Sequence, residues 1–97
     1  MNRVYISGQI TGMPDLNRGA FAHAEEKIAR TGKIPINPHV ICGHLPKDSP
    51  WEAYMEVCLE ALKYCQEIYM LEGWHLSKGA RIEQERAVDL GIKVVYE

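Results

Sequence analysis

The sequence predicts an α/β domain built as a small Rossmann-like sandwich, with a four-stranded, mostly parallel sheet and three helices. Segments rich in β-branched and aromatic residues alternate with segments of helical apolar period, in the order strand, helix, strand, helix, strand, helix, strand. Strands that are joined through helices run parallel and are covered on both faces. The 97 residues, 46% of them hydrophobic, suffice for a single domain over 1–97 with a modest core.

The first half of the chain supplies two of the strands. Residues 3–7 (RVYIS) form the first strand, and Asn17 is a plausible cap for a helix that extends to about Thr31 and stops at Gly32. Residues 33–37 (KIPIN) form a short strand, and its proline suits the edge of a sheet rather than the centre. A polar loop follows.

The second half begins with a helix start at SPWE (49–52), which reads as a capping box with proline at the first helical position. The side chains that follow at helical spacing are more typical of core than of a ligand pocket. They are Trp51, Tyr54, Met55, Cys58 and Leu62. Residues 67–71 form the third strand, 77–90 the third helix, which ends at Gly91, and 92–97 the last strand.

Charge and composition exclude several classes of function. The net charge of -2 provides no broad basic field, so a long nucleic acid is not an expected partner. The apolar runs are shorter than the roughly 20 residues that span a bilayer, and the N-terminus MNRVYISG lacks the features of a signal peptide. We therefore expect a cytoplasmic protein that does not bind membranes, with its three cysteines reduced.

A metal site is not expected either. His39 and His44, with Cys42 between them, are the only histidines close enough in sequence to suggest zinc. A closed zinc site needs a fourth ligand and firm geometry, so solvated loop side chains are the better interpretation.

Two glycine-rich loops are the candidate ligand-binding segments. Open parallel sheets bind ligands beyond the carboxyl ends of their strands, and SGQITG (7–12) and GWHLSKGA (73–80) follow the first and third strands. The second loop leads into a helix N-terminus, which suits a phosphate. Ser77 there either caps the helix or binds that phosphate, and both interpretations stay open.

The third helix carries a carboxylate on its small-residue stripe. If the helix begins near Ser77, Glu83 shares a face with Gly79, Ala80 and Ala87. An ionised carboxylate is costly to bury unless it is paired or used. Glu83 is therefore a candidate functional residue.

Several segments together resemble the DUF4406 group of the nucleoside 2-deoxyribosyltransferase superfamily. They are VYISGQITG, the NP at 37–38, WEAYM, YMLEGWHLSKGARIEQERA and GIKVVYE, and the most specific is S-x-G-x-x-x-E at 77–83. The resemblance implies that Glu83 matches the nucleophile that attacks the anomeric carbon of a nucleoside. Ser77 stands where the transferases usually carry an aspartate, as it does in the related monophosphate glycosidases, and the longer C-terminal segments of the transferases are not present.

The chain is also similar to short phage proteins of this group that counter the Thoeris defence by sequestering cyclic ADP-ribose signals as homotetramers. Some relatives of those proteins hold cyclic dinucleotides. This resemblance implies a phage-type anti-defence protein that acts in the bacterial host cytoplasm, needs no cofactor and forms a dimer or tetramer. The alternatives are a nucleotide N-glycosidase or deoxyribosyltransferase that uses Glu83 as nucleophile, and a structural subunit with a vestigial pocket.

The expected site draws on both loops and on the resemblance, with Glu83 as catalytic residue only if the protein is an enzyme. Trp74 indicates a pocket or a subunit interface, Phe21 could be core, and Arg18 and Lys78 could be solvated charges. The predicted ligand-binding residues are Tyr5, Ser7, Gly8, Gln9, Ile10, Thr11, Arg18, Phe21, Asn37, Trp74, Ser77, Lys78, Gly79 and Glu83.

Overall fold

The computed structural model describes all 97 residues and contains four strands and four helices. The strands are β1 (Arg3–Ser7), β2 (Ile34–Ile36), β3 (Glu67–Met70) and β4 (Lys93–Tyr96). The helices are α1 (Arg18–Arg30), α2 (Pro38–Ile41), α3 (Trp51–Leu62) and α4 (Lys78–Asp89). Short 3-10 turns occupy Pro14–Asn17 and Trp74–Leu76.

The four strands form one sheet in the order β2-β1-β3-β4, and every pairing is parallel. This confirms the predicted α/β class. The edge position predicted for residues 33–37 is also confirmed, because β2 pairs with β1 alone. Since β1 is central, its carboxyl end at Ser7 opens into the middle of the edge at which ligands bind in such sheets.

Alternation along β1 divides the core between the two faces of the sheet. Val4 and Ile6 point to the face covered by α1, where they pack with Phe21. Tyr5 points to the face covered by α3 and α4. Each face therefore has its own apolar cluster, and only one of the two receives both long C-terminal helices.

The ends of α1 and α4 follow the sequence signals. Gly32 and Gly91 have φ of +84° and +71°, the left-handed conformation that ends a helix at little cost. Ser77 is the N-cap of α4, where its hydroxyl accepts a hydrogen bond of 3.1 Å from the Ala80 amide. The capping interpretation of Ser77 is thus the one that the fold uses.

Two predicted helix starts are wrong in detail. The capping box at 49–52 does not form, because Ser49 donates its hydroxyl to the Pro46 carbonyl at 2.6 Å and α3 begins only after the extended Pro50. Asn17 does precede α1, but it has φ of 59° and donates its amide to the Gln9 carbonyl at 3.0 Å instead of capping. In each case a nearby loop carbonyl competes successfully for the side chain.

A short helix lies in the segment that was predicted to be loop. Asn37 caps α2 by accepting a hydrogen bond of 2.9 Å from the His39 amide, and Pro38 occupies the first helical position. The Asn-Pro pair is the local signal that could have predicted this helix.

None of the four helices has the length and apolar character that a membrane span requires.

Candidate functional site

A cavity of about 470 Å³ opens on the sheet face covered by α3 and α4. Its floor is formed by Tyr5 of β1 and Glu83 of α4, and Gly8 lies at the end of the central strand beside it. The first loop and α1 form one wall, α2 and the segment after it a second, and α3 a third. The cavity therefore gathers residues from β1, the four helices and the loops between them, and none from β2, β3 or β4.

Glu83 is the only carboxylate in the lining, and it is 6% exposed. Its Oε2 accepts a hydrogen bond of 2.6 Å from the Tyr5 hydroxyl, and its Oε1 accepts one of 2.7 Å from the Ser7 hydroxyl. No basic side chain pairs with it. Burial raises the pKa of Glu83 to about 7, against the two hydroxyl hydrogen bonds, which favour the ionised form.

The local geometry of β1 and α4 explains this arrangement. Tyr5 and Ser7 are two residues apart in a strand, so both point to the same face of the sheet. Ala80, Glu83 and Ala87 are the buried residues of α4, and the two alanines allow the helix to lie close to that strand. The close approach of this small-residue stripe of α4 to β1 thus places the Glu83 carboxylate within hydrogen-bond distance of the Tyr5 and Ser7 hydroxyls.

The groups around Glu83 stay neutral. Burial, followed by the nearby Glu83 carboxylate, raises the pKa of Tyr5 well above its usual value, so its hydroxyl remains a donor. Burial also raises the pKa of the Cys58 thiol, whose sulfur lies 3.7 Å from that of Cys42. These thiols act as small apolar groups rather than as nucleophiles.

The α3 wall corrects the prediction of core packing for that helix. Cys58 and Leu62 are buried, as predicted. Trp51, Tyr54 and Met55 instead line the cavity, and Trp51 is 37% exposed. These residues do lie on one face of the helix, but an apolar stripe has the same sequence pattern whether it packs against a core or lines a cavity.

His39 is a cavity residue that the predicted site did not include. Its ring lies edge-on to Phe21, with 4.9 Å between the ring centroids, and its Nε2 is buried without a hydrogen-bond partner. Burial lowers the pKa of His39, which keeps the imidazole neutral. Only its position after the Asn-Pro helix start could have pointed to it.

The comparison with protein families gives one result. A family model described as "Domain of unknown function (DUF4406)" matches residues 2–96. The chain belongs to the DUF4406 family. The match spans all four strands, so every cavity residue lies within the DUF4406 domain. No curated protein matches the chain.

In this DUF4406 domain most of the predicted ligand-binding residues converge on the cavity. Ser7 is fully buried and reaches the site through its hydrogen bond to Glu83. The predicted residues that line the cavity are Tyr5, Gly8, Ile10, Thr11, Arg18, Phe21, Ser77, Gly79 and Glu83.

Besides Ser7, four predicted residues lie outside the cavity lining. Trp74 packs against Tyr96, with 5.8 Å between ring centroids, on the β4 side of the sheet. Asn37 uses its side chain to cap α2 and to donate to Glu25 at 2.8 Å. Gln9 extends toward Gly73, and Lys78 lies over the Trp51 ring.

The histidines and the cysteine considered for zinc do not assemble a site. No group of three or more histidine, cysteine, aspartate or glutamate side chains in the chain is placed to hold a metal ion. Cys42 is turned toward Cys58 instead. Besides the Glu83 carboxyl group, the cavity lining offers the Arg18 guanidinium, the His39 imidazole, several hydroxyls and aromatic rings.

Proposed function

We propose that this DUF4406 protein binds a small cyclic nucleotide signal of the cyclic ADP-ribose type and holds it without cleaving it. Its role would be that of the phage anti-defence proteins which it resembles. The observation that carries the proposal is the cavity of about 470 Å³ with a single carboxyl group at its floor. Ligand pockets for small molecules typically span about 300–1,000 Å³.

The lining suits the chemistry of such a ligand. The aromatic wall of α3 offers stacking surfaces for a base. Arg18 lines the opposite wall, where its guanidinium donates to Asp15 at 3.2 Å and has further N–H groups that can donate to a pyrophosphate. Each carboxylate oxygen of Glu83 already accepts a hydrogen bond from one protein hydroxyl. Each also retains a second lone pair, which can accept a hydrogen bond from a ribose hydroxyl.

The absence of a second carboxyl group in the lining favours holding over cleavage. Release of a base from a nucleotide is accelerated by an acid that protonates the base as it leaves, and general acid-base catalysis typically contributes about 10²–10⁴ in rate. Glycoside hydrolysis commonly divides this work between two carboxyl groups. The DUF4406 cavity offers one.

The alternative is a nucleotide N-glycosidase or deoxyribosyltransferase. The observation in its favour is Glu83 itself, which is buried, oriented by two hydroxyls and has its pKa raised to about 7 by burial. Strongly shifted carboxyl groups in cavities are typical of catalytic residues. In this reading the ionised Glu83 attacks the anomeric carbon and forms a glycosyl-enzyme intermediate.

One experiment separates the two functions. The protein is incubated with cyclic ADP-ribose isomers, cyclic dinucleotides or deoxynucleoside monophosphates, then heat-denatured, and the released compounds are separated by chromatography. Recovery of intact cyclic ligand in stoichiometric amount supports sequestration. Free base in excess of the protein overturns it in favour of an enzyme, and recovery of no ligand supports a vestigial pocket.

Glu83→Gln sharpens the distinction. In a sequestering protein the substitution weakens a charge-assisted hydrogen bond worth roughly 1.5–3 kcal/mol, so affinity falls by about 10- to 150-fold. In an enzyme it abolishes turnover and leaves much of the binding. The matched control is Glu67→Gln, which alters another buried carboxylate, paired with Lys33 outside the cavity.

A further inference from the structure

We propose that Trp51 is the base-stacking platform of the cavity and that Lys78 beside it selects nucleotides, in which the ribose carries a phosphate, over free nucleosides. The inference rests on the proposed nucleotide-binding function and names the residues that give it specificity. The ligand expected at the mouth of the cavity is therefore a nucleotide rather than a free nucleoside. Trp74, which the sequence favoured, has no part in it.

Trp51 is held in position but keeps an open surface. It is the first residue of α3 and lines the cavity while 37% exposed, a large exposed fraction for an indole. Its Cζ2 lies 3.8 Å from the point where a Cβ on Gly79 would stand, so that edge of the ring rests on the start of α4. An anchored indole beside a cavity is suited to stacking on a base.

Lys78 supplies a positive charge at the same place. Its Nζ lies 5.0 Å from the centroid of the Trp51 ring, a cation-π contact on an exposed lysine. Base-aromatic stacking is typically stronger than an exposed cation-π contact, so an entering base can displace the ammonium from the ring face. The flexible lysine then remains close enough to contact a phosphate on the same nucleotide.

Trp74 lacks these properties. Its ring is half-buried, lies 5.8 Å from the Tyr96 ring and 6.2 Å from the His75 ring, and packs against the core on the α4 side. It is outside the cavity lining. The two tryptophans of the chain therefore provide a matched pair, one at the cavity and one away from it.

The test uses AMP and adenosine as probes. In Trp74→Phe the only tryptophan is Trp51, and we expect AMP to quench its fluorescence as it does in the unmodified protein. By calorimetry, Trp51→Leu should weaken AMP binding roughly 5- to 150-fold, with Trp51→Phe in between, while Trp74→Leu stays within about twofold of the unmodified protein. Lys78→Gln should weaken AMP binding several-fold and leave adenosine binding unchanged.

The inference is overturned if Trp51→Leu, folded by circular dichroism, binds AMP as the unmodified protein does, or if AMP fails to quench Trp51. Equal affinity of the unmodified protein for AMP and adenosine overturns the role of Lys78. These outcomes are distinct from failure of the proposed function, which is read from whether cyclic ligands are recovered intact. An enzyme that releases free base could still stack that base on Trp51.

Discussion

Replacement of Glu83 by glutamine should make the protein more stable above neutral pH. Glu83 is buried and its pKa is raised to about 7 in the folded chain by burial, while an unfolded glutamate titrates near 4.5. The folded state therefore keeps a proton that the unfolded state releases between these values. The free energy of unfolding must fall as pH rises from about 4.5 to 7 and level off above.

The size of the effect follows from the two pKa values. The gap between 4.5 and about 7 corresponds to a loss of about 3 kcal/mol between pH 4.5 and pH 8. Glutamine carries no charge at any pH, and its amide oxygen can still accept a hydrogen bond from one of the two hydroxyls. The other hydroxyl must turn to accept from the amide, at a cost of about 1 kcal/mol. Glu83→Gln should thus be about 2–3 kcal/mol more stable at pH 8 and close to the unmodified protein at pH 4.5.

Urea unfolding followed by circular dichroism at both pH values measures this difference, and histidine titration cancels between the two proteins. Glu67→Gln is the control with the opposite sign, because hydrogen bonding to Lys33 lowers the pKa of Glu67. That stabilisation is present above the unfolded pKa and disappears as pH falls, so Glu67→Gln should destabilise at pH 8 and converge on the unmodified protein in acid. A Glu83→Gln difference that is the same at pH 4.5 and pH 8 would refute the reasoning.

Three further predictions concern packing and assembly. Gly8→Ala should cost about 1–3 kcal/mol in urea unfolding, because its Cβ would stand 2.8 Å from Leu71 Cδ1 and 2.9 Å from Leu71 Cβ. Gly19→Ala, in α1 with nothing within 4 Å of the new Cβ, should instead stabilise by about 0.5–1 kcal/mol, and a loss of stability there would contradict the argument. We also expect light scattering to show a dimer or tetramer, because so small a domain buries a modest core. Leu76 and Val88 are 67% and 57% exposed and could be covered by a second copy of the chain. A monomer at micromolar concentration would exclude this prediction.

The fold could be predicted from sequence because its signals are local. Alternating strand and helix patterns, the glycines after α1 and α4 and the proline of β2 each depend on a few neighbouring residues. The predicted capping box at 49–52 is wrong because the Ser49 hydroxyl donates to the Pro46 carbonyl instead. The sequence pattern does not show which of these two hydrogen bonds forms.

The candidate site was only partly predictable, because its geometry depends on contacts between distant segments. The small-residue stripe of α4 indicated that Glu83 is a candidate functional residue. Its hydrogen-bond partners Tyr5 and Ser7, however, lie 78 and 76 residues away along the chain. In the sequence, Trp51 lies on a stripe typical of core packing, and Trp74 is the favoured stacking residue. Only the packing of α3 across the start of α4 distinguishes them.

The proline of β2 also determines how this sheet meets other chains. The Ile34 amide donates inward to the Asn2 carbonyl at 2.9 Å, so the nitrogen of the next residue, Pro35, faces the open edge and carries no hydrogen. An extended peptide that approached this edge would find no amide donor at the middle of the strand. Strand addition is thereby disfavoured on the β2 side, which leaves β4 as the edge with the more regular backbone donors.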